Sequence, residues 1–464
     1  MAGIKTFLRD KRILGGVAAI AVVGVAATGW ATGAFKSPGG GGATELDFGL
    51  IPVAYGDNCG FVDEKGKIVI NPQFDGAGFF TRDGVAPVSS DGKWGLIDRK
   101  GTYVVNPQFD NMMMLDGGDL LLVQVGGQWG TADRKGAYVI NPQFEDMGPF
   151  DSRGRAMVQS GGQYGFVDRE GKFLIAPQFE SIAVNADQEM GDVTYFSGGL
   201  AAAATDDKWG FIDEDGKWVI NPQYAAVGVF AENGLAPVLV TEVEETENEE
   251  AAAAWERRQE NAARRAAAWG YSYERPERPD FTRRSEKHRW GYINRSGEMV
   301  IQPQWEQAGQ FGPGGLAPVL VGEDWGYIDR TGALKINPQF DLVDSFKEGP
   351  GGPLATVAVS GDSRNMRWGV IDSDGSYKIN PQFRGISDFD DNGRAVVSSG
   401  DKYGLIDASG TYVINPMYDD LAPVPGGSDY FFTRGSSGAV EMGRVSKDGK
   451  ELSSVRGERC EAPG

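Results

Sequence analysis

The chain has 464 residues, with 45 Lys and Arg against 65 Asp and Glu and a formal net charge of −20. That balance excludes a nucleic-acid binder, which needs concentrated positive surface. Two cysteines exclude a disulfide framework, and 68 glycines with 23 prolines describe a chain rich in turns.

In chain order, residues 1–12 carry Lys5, Arg9, Lys11 and Arg12 against Asp10, and residues 13–35 follow without a charge. A spanning helix needs about 20 apolar residues, and positive flanks stay cytoplasmic. Residues 1–35 therefore predict a signal anchor, a transmembrane helix that holds the rest of the chain outside an inner membrane, in the periplasm or beyond the cell. Ala31-Thr32-Gly33 also suits cleavage, so a signal peptide and a soluble periplasmic or secreted product is the alternative. Residues 36–49 are glycine-rich and read as a flexible linker.

From residue 50 onward one stretch recurs. Its clearest copy is Lys93-Trp94-Gly95-Leu96-Ile97-Asp98-Arg99-Lys100-Gly101-Thr102-Tyr103-Val104-Val105-Asn106-Pro107-Gln108-Phe109. The glycine after the aromatic falls at Gly60, Gly95, Gly130, Gly165, Gly210, Gly291, Gly326, Gly369, Gly404 and, in a degraded copy, Gly443, with a basic spacing of 35. A fixed period of this size means stacked supersecondary units. Within a unit, Gly84-Val85-Ala86-Pro87-Val88 suits a strand at an edge, or one whose proline N faces away from a partner. Trp94 to Asp98 suits a second strand. Asp98 and Gly101 then close a hairpin, the aspartate accepting from its own backbone and the glycine taking positive φ. Thr102 to Val105 is the return strand, which Asn-Pro-Gln-Phe should stop. Each unit thus predicts a three-stranded meander.

The pattern resembles the bacterial WG-repeat proteins, named for the Trp-Gly pair. Trp94-Gly95, Trp129-Gly130, Trp209-Gly210, Trp290-Gly291, Trp325-Gly326 and Trp368-Gly369 carry the pair, and Tyr164-Gly165 and Tyr403-Gly404 substitute tyrosine. Cys59 and Met442 occupy the slot at the two ends, the behaviour of capping repeats. The resemblance implies a repeat architecture and little about activity.

The units form repeats 1–5 over residues 50–241 and repeats 6–10 over 288–456, with a C-terminal tail at 457–464. Residues 242–287 interrupt them. This insertion reads as helical and not β-like: a glutamate run leads into Ala251-Ala252-Ala253-Ala254-Trp255, with arginines toward the far end. Trp255, Ala262, Ala266 and Trp269 share a face that would dock on the array or on a partner. Arg275 to Arg289 adds a basic stretch suited to anionic lipid or a polyanion, or else to plain solvation.

Catalytic chemistry is hard to place. The one histidine, His288, lies beside Arg289, no Cys-x-x-Cys or His-x-x-x-His occurs, and no phosphate-binding glycine loop is present. Asp63, Asp98, Asp133, Asp168, Asp213, Asp329, Asp372 and Asp407 recur at one place in the unit, which argues for turn chemistry over a row of Ca²⁺ sites. No cofactor or metal is expected. The recurring aromatic most simply packs against the next unit, its glycine leaving room for the ring; an exposed ladder for carbohydrate or peptide is the alternative.

The fold class expected is an all-β repeat array of about ten three-stranded units of about 35 residues, open and superhelical like a solenoid. A closed propeller-like ring is the alternative. Cys59 opens the first unit and Cys460 follows the last, and a disulfide between them demands that the ends meet within about 7 Å, which a ring allows and a long solenoid does not. The function expected is a non-enzymatic interaction scaffold of the cell envelope, with a protein or envelope polymer as partner. A cell-wall glycan hydrolase, a carbohydrate-binding array and a passive spacer are the rivals.

Overall fold

A computed structural model of the protein describes residues 46–460 apart from 48, 116–118, 187–192, 270, 361–365, 425–426 and 436–439. The helix expected within residues 1–35 lies outside the described residues. Among those described, no helix is long and apolar enough to cross a membrane.

The repeats fold as ten small antiparallel sheets arranged as the blades of a propeller-like ring. Blade 2 shows the plan. Gly76–Ala77, Val85–Ser90, Lys93–Asp98 and Tyr103–Phe109 lie side by side in chain order. The unit therefore has four strands where the sequence predicts three. The extra one is two residues long, pairing Gly76 with Ser89 and Ala77 with Val88, and it stops short of Pro87. The pairing ends at the proline itself: Gly78 N still donates to Pro87 O at 2.9 Å, and Pro87, with no N–H, returns no bond that would carry the ladder further.

The hairpin is the one its residues dictate. Asp98 Oδ1 accepts from the N–H groups of Lys100 and Thr102, each at 2.9 Å, and Gly101 holds φ +80°. The return strand, however, continues through Asn-Pro-Gln-Phe instead of ending there. It does so by bulging twice: Ile97 and Leu96 pair with Tyr103 and Val105, leaving Val104 extra, while Leu96 and Trp94 pair with Val105 and Phe109. Gly95 thus faces the three residues Asn106, Pro107 and Gln108. Two bulges and a proline make this edge a poor template for another strand, which keeps a ring of exposed sheet edges from aggregating.

The glycine of the Trp-Gly pair serves these bulges. A Cβ on Gly326 would stand 2.6 Å from Ile336 O and 2.7 Å from Pro338 N, and one on Gly60 would meet Ile70 O and Pro72 N at 2.7 Å. The sequence-based account, in which glycine makes room for its neighbour's ring, is corrected accordingly: the obstacle is the kinked backbone of the next strand.

Blades join by a repeated contact. The hairpin glycine of one blade rests on the aliphatic residue two positions before the return-strand proline of the preceding blade, as Gly101 on Ile70, Gly171 on Ile140, Gly332 on Ile301 and Gly410 on Ile379. The first aromatic of the return strand packs edge-on against the preceding blade's Asn-Pro-Gln phenylalanine, with centroids 6.1 Å apart for Phe74 and Tyr103, 6.0 Å for Phe144 and Phe173, and 6.0 Å for Phe383 and Tyr412.

The ring closes, which overturns the open array. Blade 1 has only Leu50–Tyr55, Asn58–Asp63 and Ile68–Phe74 from the start of the chain. Its missing first strand comes from the other end, where Ala54 bridges to Glu458 and donates its N–H to Glu458 O at 2.9 Å. Two residues on, Cys460 forms a disulfide with Cys59, the two Cα atoms 5.7 Å apart and 401 positions distant in sequence. Ile51, Val53 and Val62 of blade 1 share a core with Phe431, Met442 and Val455 of blade 10. Residues 457–460 are therefore part of the ring and not a tail. The first and last repeats cap nothing, since each is the other's neighbour.

Candidate interaction surface

The predicted signature residues are taken up by the fold. Trp129, Tyr164, Trp209, Trp290 and Trp325 are buried, Trp94 and Trp368 half-buried, and Tyr403 exposed. The recurring aspartates each hold a turn in the manner of Asp98, as Asp133 does for Lys135 and Ala137 and Asp329 for Thr331 and Ala333. The Thr102 N–H, helped by that of Lys100, keeps the Asp98 carboxyl below the usual carboxylate range, and the Ala137 N–H does the same for Asp133. Their lone pairs thus point into their own turns. A second acid set went unnoticed in the sequence. The residue after the Asn-Pro-Gln aromatic closes the other hairpin of its blade: Glu145 accepts from Gly161 and Gly162, and Asp110 and Asp419 accept from Gly126 and Gly435. The signal was available, since an acid follows that aromatic in most units.

One blade departs from the plan. In blade 6 the second and third strands run on as Leu235–Glu247 and Thr282–Asn294. Beyond Val240 and Arg289, where an ordinary blade turns, seven further pairs from Thr241↔His288 to Glu247↔Thr282 build an arm. Strand rise carries it about 23 Å past the ring. The insertion is thus β-structured at its base, against expectation. The sequence disguises this because charges replace alternation, yet the charges are complementary across the strands: Arg284 pairs with Glu245 at 2.7 Å and Lys287 with Glu244 at 2.5 Å.

The helix α1 (Glu249–Ala268) follows, capped by Asn248, whose Oδ1 accepts from Ala251 N at 3.0 Å. Glu249 and Glu250 sit in its first turn and Arg265 in its last, as the helix dipole favours. The segment after it returns alongside: Arg275 lies 5.0 Å over the Trp255 ring and pairs with Glu256, Phe281 flanks Trp255, and Arg278 pairs with Glu247. Trp255 is therefore covered by the arm itself and not by the ring. The basic stretch beginning at Arg275 is largely neutralised by these partners. His288 Nδ1 lies 3.0 Å from Thr241 Oγ1 within the arm's base.

At the arm's far turn the pattern changes. Trp269 is 79% exposed and Tyr271 73%, more than any other large apolar side chain described. Their backbones are fixed: Trp269 N donates to Ala266 O at 3.1 Å and Tyr271 N to the same oxygen at 2.9 Å. Arg264 and Arg265 are exposed in the turn just before. The arm leaves from the face that carries the turns between second and third strands. The described chain begins on the opposite face, where Leu46–Asp47 pairs with Phe80–Thr81 and Asp47 meets Arg99 of a hairpin turn.

These observations define a class: a closed ring of repeated four-stranded β-meander blades, with one blade drawn out into an arm. The profile of the WG containing repeat matches residues 60–94, 94–129, 129–164, 164–187, 209–241, 290–323, 325–361, 368–403 and 403–432, and the chain belongs to that family. No curated protein matches it. Solved structures with a similar trace include a eukaryotic initiation factor (11% identity, TM-score 0.47, 82% of this chain and 96% of that one) and dipeptidyl peptidase 4 of Porphyromonas gingivalis (13%, 0.41, 82% and 59%). TolB of Acinetobacter baumannii matches more weakly (11%, 0.25, 75% and 79%). Likenesses this distant say nothing about chemistry.

Proposed function

We propose that the protein is a non-enzymatic scaffold of the cell envelope, a rigid β ring that holds one arm out toward a partner. The observation that carries this reading is the division of labour among its residues. The repeated tryptophans, glycines and aspartates are consumed by packing and turns, while the exposed, asymmetric group of side chains sits at the tip of the blade 6 arm. An enzyme needs an asymmetric set of reacting groups, and equivalent turn aspartates do not supply one. An exported location accords with the charge pattern of residues 1–35 and with a disulfide joining the ends of the chain, since such bonds persist in oxidising compartments.

The test compares the intact chain with one in which residues 241–288 are replaced by a two-residue turn. Partners captured from envelope extract should be lost with the arm. Cleavage of cell-wall glycan by the purified chain would replace the scaffold with a hydrolase. Equal capture by both chains would move the binding surface to the ring, and no capture by either would leave a spacer.

A further inference from the structure

We infer that the arm's tip is a docking element for an anionic lipid bilayer, on the side of the ring opposite to where the described chain begins. The inference deepens the scaffold reading by naming the chemistry of the surface met.

Electrostatics comes first. A chain of net charge −20 is repelled by any anionic surface. Residues 257–271, the far half of the helix and the turn beyond it, however, hold four arginines against one glutamate, a local excess of positive charge, whereas Arg275 and Arg278 on the returning segment are spent on Glu256 and Glu247. On the ring this excess would be swamped. The strand arm places it about 23 Å away by strand rise, and charges are screened over about 8 Å at physiological salt, so the tip acts as an isolated cation. Among the described residues, the side-chain partners recorded for the helix come from the arm itself, as Tyr273, Arg275 and Phe281 do.

The aromatic pair then selects lipid among anionic surfaces. Tryptophan and tyrosine favour the headgroup layer, where an apolar body and a polar end are both accommodated. Trp269 and Tyr271 stand beyond Ala266, Ala267 and Ala268, small residues that let a bilayer approach closely, and their backbones are already hydrogen-bonded to the end of the helix. Little ordering entropy remains to be lost on docking. Arg264 and Arg265 lie one turn behind, at the depth of lipid phosphates.

Flotation tests it. The full chain, held through its amino-terminal segment in neutral phosphatidylcholine nanodiscs or used in solution if that segment is removed on export, is mixed with phosphatidylcholine vesicles with and without phosphatidylglycerol. It should float with the anionic vesicles and be released by salt. An arginine near an anionic bilayer contributes a factor of about five, so R264Q/R265Q should weaken recruitment about twenty-five-fold, and W269A/Y271A should abolish it while the unfolding transition stays unchanged. Equal flotation with neutral vesicles, or flotation indifferent to both variants, overturns the proposal. Capture by soluble poly-glutamate without recruitment to vesicles also overturns it and makes an acidic polypeptide the occupant. In that case arm-dependent capture of partners would still stand, so the lipid assignment and the scaffold reading fail separately.

Discussion

Nine joints between consecutive blades follow one pattern, and the joint between blade 10 and blade 1 does not. At each ordinary joint a hairpin glycine rests on the branched side chain two positions before the return-strand proline, down to Gly449 against Ile414. At the seam the corresponding glycine, Gly66, has open space around its missing Cβ. In place of that contact stand a borrowed strand, a shared aliphatic core, the Arg444–Glu64 ion pair at 3.6 Å and the disulfide. Chain connectivity holds the ordinary blades in register, so repetition of one modest contact suffices. The seam has no connectivity and needs bonds of its own.

The largest effect expected is at an ordinary joint. Trp325 is 2% exposed, and Trp325→Ala should lower stability by about 3–5 kcal/mol, with hydrogen-exchange protection lost mainly in blades 6 to 8. Tyr403 is 38% exposed in the same slot, and Tyr403→Ala should stay within about 1 kcal/mol. Equal losses at the two positions would show that slot identity, and not burial, sets the energy. Next comes the seam. Replacing both Cys59 and Cys460 by serine should cost about 2–5 kcal/mol, seen in denaturant melts and as exchange confined to blades 1 and 10. Uniform loosening around the ring would contradict a localised seam.

A sharper comparison uses glycines of matched backbone. Gly66 and Gly101 both hold positive φ, +78° and +80°, so alanine strains each alike. Only at Gly101 would the new Cβ press on Ile70, at 3.0 Å. Gly101→Ala should therefore exceed Gly66→Ala by about 1–3 kcal/mol in thermal unfolding. Parity would remove the joint described here. The smallest effect is expected for exchanging residues 241–288 for a tight turn, which should leave the ring's unfolding midpoint nearly unchanged; a large drop would place the arm within the ring's core.

Much of the blade was legible because its chemistry is local. Asp98 to Gly101 needs only turn geometry, and the period of 35 exposes the repetition directly. What escaped was short or distant. Gly76–Ala77 is too brief to carry a pattern. Proline in Asn-Pro-Gln-Phe reads as a stop, whereas two bulges let the strand pass it. Glu245 and Arg284 look like parts of separate charge runs because 39 positions divide them. Ring closure was visible only as the pair Cys59 and Cys460, since the curvature that decides between ring and solenoid accumulates from small angles no residue announces. The tip of the arm was legible as composition, but the face assigned there joined Trp255, which the arm covers, to Trp269, which it displays.

The seam also fixes how the molecule would bear force. A pull on the amino-terminal side first peels Leu46 and Asp47 from Thr81 and Phe80, two residue pairs and a weak fuse. Load then reaches Leu50–Tyr55 and, across the following turn, Cys59. From there the covalent link passes tension straight to Cys460 at the other end of the chain. A load entering at one terminus and leaving near the other crosses blade 1 alone, and the remaining nine blades, with the arm on blade 6, lie in a slack loop off the stressed path.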